Sequence, residues 1–74
     1  MAQQARDVAI SDDSIRLGQF LKLADLIDTG SDAKAAIAEG QVSVNGVVET
    51  RRGRQLRPGN TVSIGADAAR VSGG

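Results

Sequence analysis

The sequence predicts one small α+β domain, with two short packed helices against a small, mainly antiparallel β-sheet. Three observations carry this. Apolar residues at three- and four-residue steps, Leu17, Phe20, Leu21, Ala24 and Ile27, mark a helix over about 17–26. A second apolar stripe, Ala33, Ala36 and Ile37, follows the break Asp28-Thr29-Gly30-Ser31, a connection so short that the two helices must pack as a pair. Val42 and Val44 then alternate with Gln41 and Ser43 up to Asn45-Gly46, the dipeptide suited to a type I′ hairpin turn because both central residues need positive φ.

Taken in order, residues 1–7 are polar and expected to be flexible, and Val8-Ala9-Ile10 reads as a short edge strand before the turn signal Ser11-Asp12-Asp13-Ser14. That strand is expected to pair with the one over 61–64, because otherwise its backbone and Ile10 would be exposed. The second helix starts at Thr29, an N-cap type with Asp32 three residues on, and ends at Gly40, which tolerates the positive φ of a helix terminus. Val47-Val48-Glu49-Thr50 is the return strand of the hairpin, followed directly by Arg51, Arg52 and Arg54 spaced by Gly53. After Gln55-Leu56, Arg57-Pro58-Gly59-Asn60 places Pro and Gly at the centre of a type II turn. Thr61-Val62-Ser63-Ile64 is a further strand, Gly65-Ala66-Asp67 turns, and Ala68 to Val71 adds a last short strand. The domain is expected over 8–71, with 72–74 as a flexible end.

Composition narrows the function classes. Seventy-four residues support one core near the lower limit of independent stability. With no cysteine and no histidine, disulfides, thiolate or imidazole metal sites and Ser-His or Cys-His catalysis are excluded, so no metal or cofactor is expected. The carboxylates Asp12, Asp13, Asp25, Asp28, Asp32 and Glu39 show nothing that sets them apart from surface charge, and the chain is read as no enzyme. No apolar run reaches membrane-spanning length and the start MAQQARDVAI lacks the apolar stretch of a secretory signal; the expected location is the cytoplasm, away from membranes.

Net charge is zero but sorted: residues 1–50 hold four Lys/Arg against eight Asp/Glu, and 51–74 hold five against one. Arg51, Arg52, Arg54 and Arg57 fall within seven residues, enough for a local positive field that the total hides.

Residues 15–64 carry a family resemblance. Arg16-Leu17, Phe20, Leu21, Ala33-Lys34, Ile37, the run Gly40 to Gly46 and the turn Pro58-Gly59-Asn60 resemble the pattern of the RNA-binding domain first seen in small-subunit ribosomal protein S-four, the alpha-L motif. Gly18 stands where many members have Asp, Thr29-Gly30 replaces a frequent Ser-Arg, and Asn60 replaces Asp. LGQFLKLADLIDTG and NGVVETRRGR are similar to the small stand-alone bacterial subfamily of YbcJ and YaaA type. The resemblance implies a non-catalytic module that grips RNA, ribosomal or transfer RNA being typical targets. The chain is expected to work as a monomer.

The residues themselves constrain how. Phe20 is the only aromatic residue and sits on the apolar stripe, so no base-stacking platform is available and folded RNA, held by shape and phosphates, is the expected partner. Arg51, Arg52 and Arg54 are the expected main phosphate contacts, flanked by Arg16, Lys22 and Lys34, with Thr29 and Gly30 offering backbone amides at a helix N-terminus. A second reading takes the terminal Gly73-Gly74 as the acceptor of a ubiquitin-like sulfur carrier, a fold that would begin with a β-hairpin rather than a strand and two helices.

Overall fold

The computed structural model describes residues 5–73. Strand β1 (Arg6–Ile10) leads through a bend to a two-residue strand β2 (Ile15–Arg16) and the helices α1 (Leu17–Leu23) and α2 (Gly30–Ala38). The hairpin β3 (Val42–Val44) and β4 (Val47–Val48) follows, then β5 (Gln55–Leu56), β6 (Thr61–Ile64) and β7 (Asp67–Gly73). Five strands form one sheet in the order β1-β7-β6-β3-β4, while β2 and β5 pair separately. The helix pair lies on the sheet as expected.

Helix α1 ends earlier than the apolar period suggests. Asp25 takes φ 60°, its N–H bonds the Lys22 carbonyl at 3.1 Å, and the Leu26 N–H bonds the Leu21 carbonyl at 2.9 Å. Helix α2 closes by the same two-bond motif around Gly40 at φ 76°. Glycine announces such an end; aspartate, which reaches left-handed space less readily, does not, and the helix was therefore expected to run on to Leu26. At the other end of α2, Thr29 accepts a hydrogen bond from the Asp32 N–H at 3.1 Å, the N-cap the spacing predicts.

The hairpin turn has φ 53° at Asn45 and 83° at Gly46, and the Asn45 side chain also accepts from the Thr61 N–H at 2.9 Å, tying the turn to β6. At the Pro58-Gly59 turn, Gly59 takes φ 103° and Asn60 Oδ1 accepts from the Arg57 N–H at 2.7 Å. Asn60 thus supplies an acceptor where the family pattern has a carboxylate.

Two expectations are corrected. Strand β1 does not pair with 61–64: it runs parallel to β7, Val8 opposite Val71, and β7 stands between it and β6. A parallel neighbour requires a long crossover, which the helices and hairpin together provide. The last strand is also longer than its weak apolar signal implies, because Ala69 and Val71 bury their small side chains while Arg70 between them faces out. Arg6, Asp7, Ser72 and Gly73 are consequently strand residues rather than free ends, and an Arg70–Asp7 ion pair of 2.8 Å spans the two strands. The expectations for 1–4 and 74 lie outside the described residues.

The core fills the space between helices and sheet. Leu17, Phe20 and Leu21 from α1 and Ala33 and Ile37 from α2 meet Val42, Val62, Ala69 and Val71 from the sheet, all buried. Leu56 of β5 is fully buried among them, so the short β2–β5 ladder pins the chain just after the arginine-rich loop to the core and to the start of α1.

Candidate nucleic-acid interface

The start of α1, the start of α2 and the arginine loop converge on one open groove of about 660 Å³. Arg16, Lys22, Thr29, Gly30, Lys34 and Arg52 all line it, together with Gly18, Gln19, Ser31, Ala33 and Gly53. Arg16 is the residue before α1, Lys22 lies on that helix's exposed side, and Lys34 lies one turn into α2, off its buried stripe of Ala33, Ala36 and Ile37. Helical periodicity therefore aims Lys22 and Lys34 away from the core and toward the groove, and Arg16 joins them from the extended residue that precedes α1. Among the described residues that line it there is no Asp or Glu and no aromatic ring.

The α2 N-terminus adds backbone donors. The first intrahelical bond runs from the Ala33 N–H to the Thr29 carbonyl at 3.0 Å, and the Asp32 N–H is taken by the Thr29 side chain. The amides of Gly30 and Ser31 therefore precede the helical ladder, at the positive end of its dipole.

The arginine loop divides in two. Arg52 faces the groove, whereas Arg51 and Arg54 do not line it: both turn to Glu49. Arg54 reaches Glu49 Oε1 at 2.7 Å, and Arg51 Nε reaches Oε2 at 3.1 Å. The same Oε2 accepts from the backbone N–H groups of Thr50 and Arg51, each at 3.1 Å. Glu49 is the one buried charged residue among those described, and its carboxyl is held down to about 2, first by the Arg51 guanidinium, then by that of Arg54 and the Arg51 amide. The reciprocal hydrogen bond raises the Arg51 guanidinium above its ordinary value.

Sequence reasoning placed Glu49 in the return strand and gave it no role. The strand in fact stops at Val48; the Glu49 N–H still bonds the Val42 carbonyl at 2.9 Å, after which the chain folds around the carboxylate. The available signal was the spacing, a glutamate with arginines two and five residues later. Gly18 was likewise missed. The Gly18 N–H bonds the Arg52 carbonyl at 3.2 Å, the Leu17 N–H bonds the Arg54 carbonyl at 2.9 Å, and a Cβ at position 18 would fall 2.9 Å from Arg52 Cγ. The loop can lie this close to α1 because that residue has no side chain.

Fold and groove together define a class: a helix pair and hairpin that present a cationic, non-aromatic cradle with backbone amides at its edge. The chain belongs to the S4 domain family, whose model matches residues 8–72. It is 47% identical over 60 residues to the "Probable ribosome maturation protein RlbA" of Bacillus subtilis, covering 81% of this chain and 84% of the relative. YbcJ of Escherichia coli is 44% identical over 57 residues, 77% of this chain and 81% of that one. The solution structure of E. coli YbcJ, described as revealing an alphaL motif involved in RNA-binding, superposes with a TM-score of 0.71 over 93% of this chain and 89% of YbcJ, at 36% identity. The 30S ribosomal protein S4e of Thermoplasma acidophilum shares the fold at a TM-score of 0.62, over 81% of this chain and 32% of S4e, with 22% identity. None of these similarities supports a sulfur carrier, and the two helices precede the hairpin in this chain.

Proposed function

We propose that this protein is an RNA-binding module that grips folded RNA through its phosphates and shape, with ribosomal RNA in the cytoplasm as the class of target. The observation that carries this reading is the groove in which Arg16, Lys22, Lys34 and Arg52 surround the α2 N-terminus without a carboxylate among them. Such a surface suits a phosphate backbone, where guanidinium and ammonium groups replace condensed counterions and helix amides donate to phosphate oxygens. The lack of a ring to stack on disfavours unpaired bases as the main contact. The RNA-binding alphaL motif described for YbcJ supports RNA as the partner, and the relative described as a probable ribosome maturation protein favours a ribosomal target over other folded RNAs. On this reading the module acts by binding, as a monomer, and performs no chemistry of its own.

Titration against a labelled RNA hairpin and an unstructured strand of equal length, for the wild type and for Lys34→Gln with Arg52→Gln, tests it. Preference for the hairpin and a clear loss in the double variant are expected. Equal binding by a folded double variant would remove the groove from the interface.

A further inference from the structure

We infer that Glu49 is a positioning residue: by holding Arg51 and Arg54 it closes the arginine loop into a clamp that sets Arg52 in the groove. The inference rests on the RNA-binding reading and adds to it a division of labour among three arginines that the sequence presents as equivalent.

The clamp is built from both sides. On the hairpin side, the Glu49 N–H is tied to β3 through the Val42 carbonyl, so the carboxylate has a fixed base. From there its two oxygens reach forward to the N–H groups of Thr50 and Arg51 and to the guanidiniums of Arg51 and Arg54. A turn bond from the Arg54 N–H to the Arg51 carbonyl at 3.2 Å draws those two residues together, leaving Arg52 and Gly53 at the tip. On the helix side, the carbonyl of Arg52 at the tip and that of Arg54 just after it accept from Gly18 and Leu17 at the start of α1. Between these anchors the stem of Arg52 lies against Gly18, and its side chain has the groove in front of it. Arg51 and Arg54 thus shape the loop, and Arg52 is the loop guanidinium left for a phosphate. A carboxylate is suited to this because it accepts at four sites and so satisfies two guanidiniums and two amides at once.

The sign of one substitution separates this from simple electrostatics. Glu49→Gln removes a negative charge and releases two arginines. If Glu49 merely competed with RNA for those arginines, the variant would bind more tightly, with a steeper dependence on salt. If it positions Arg52, the variant binds less tightly despite its added positive charge, by about tenfold, the size of one lost charge-assisted contact.

The experiment measures affinity for a labelled RNA hairpin at several salt concentrations, alongside amide exchange, for wild type, Glu49→Gln and Gly18→Ala. In Glu49→Gln the Thr50 and Arg51 amides should lose protection while core amides keep theirs, and affinity should fall. Gly18→Ala displaces Arg52 from the other side, so it should lose affinity while the Thr50 and Arg51 amides stay protected. Equal or tighter binding by folded Glu49→Gln overturns the proposal. Should that variant not fold, unchanged affinity in Gly18→Ala does the same. Wild-type affinity in both Arg52→Gln and Lys34→Gln would instead overturn the groove, and with it any consequence of the clamp for RNA; protection of the Thr50 and Arg51 amides then reads the clamp by itself.

Discussion

At the scale of single residues, the decisive feature is how the arginines divide their work. Arg52 lies on the groove, exposed and without a carboxylate partner among the described ion pairs, so Arg52→Gln should remove about one phosphate contact and flatten the plot of log affinity against log salt by roughly 0.7 to 0.9. Its melting temperature should barely move. Glu49 makes the opposite kind of prediction, one about folding in acid. Its carboxyl is lowered from 4.5 to about 2 by partners that exist only in the folded chain, so the unfolded state takes up the proton first as pH falls. The stability it contributes is fully present above about pH 4.5 and is lost as pH falls through about 2. Urea unfolding followed between those limits should show a weaker pH dependence in Glu49→Gln than in the wild type; identical acid limbs would count against the clamp in solution.

At the scale of elements, the two helices end by the same pair of hydrogen bonds with different residues at the left-handed position. Asp25 takes φ 60° there at a cost glycine would not incur, whereas Gly40 occupies the equivalent place at φ 76°. Asp25→Gly should therefore raise stability by about 0.5 to 1 kcal/mol, and Gly40→Ala should lower it by about 1 kcal/mol. Chemical denaturation of the two variants measures both, and the opposite ordering would show that the turns are not held in this conformation. The β2–β5 ladder is a different case. Its strands have two residues each, and what keeps it in place is Leu56, fully buried beneath the arginine loop. Leu56→Ala should cost about 2 to 5 kcal/mol, a large share of the stability of so small a domain. Because the ladder carries the loop, amide protection at Leu17 and Gly18 should fall in the same variant.

For the whole molecule, a chain of zero net charge presents a face of one sign because folding sorts its charges a second time. Arg51 and Arg54 are occupied by Glu49 and Arg70 pairs with Asp7, while Arg16, Lys22, Lys34 and Arg52 are brought from distant parts of the sequence to one groove. About four phosphate contacts correspond to a salt slope of roughly −2.8 to −3.6. Titration of the wild type over a range of salt gives that slope directly, and a value near zero would mean that phosphates are not what the groove holds. On the proposed reading, local field rather than net charge governs association.

Much of the fold was legible because it rests on local chemistry. The Asn45-Gly46 turn, the Thr29 cap, the stop at Gly40 and the stripes of Leu17, Phe20, Leu21 and of Ala33, Ala36, Ile37 are each dictated by residues a few positions apart, and each stands as expected. Lys22 and Lys34 were legible too, as residues that helical period excludes from the core, while Arg52 was visible only as one of three clustered arginines and Arg16 only as the residue before the first helix. What the sequence left open depends on contacts between distant segments. The parallel partner of β1 was decided by β7, whose Ala69 and Val71 gain their place only when a sheet is already present to cover. The division of Arg51, Arg52 and Arg54 was decided by a carboxylate whose own position depends on β3 and by a glycine in another element against which the loop can lie. Propensity and periodicity act over a few residues and can be read along the chain. Strand partnership and the pairing of charges are settled by which surfaces the fold brings within hydrogen-bonding distance, and that is fixed only when the core has closed.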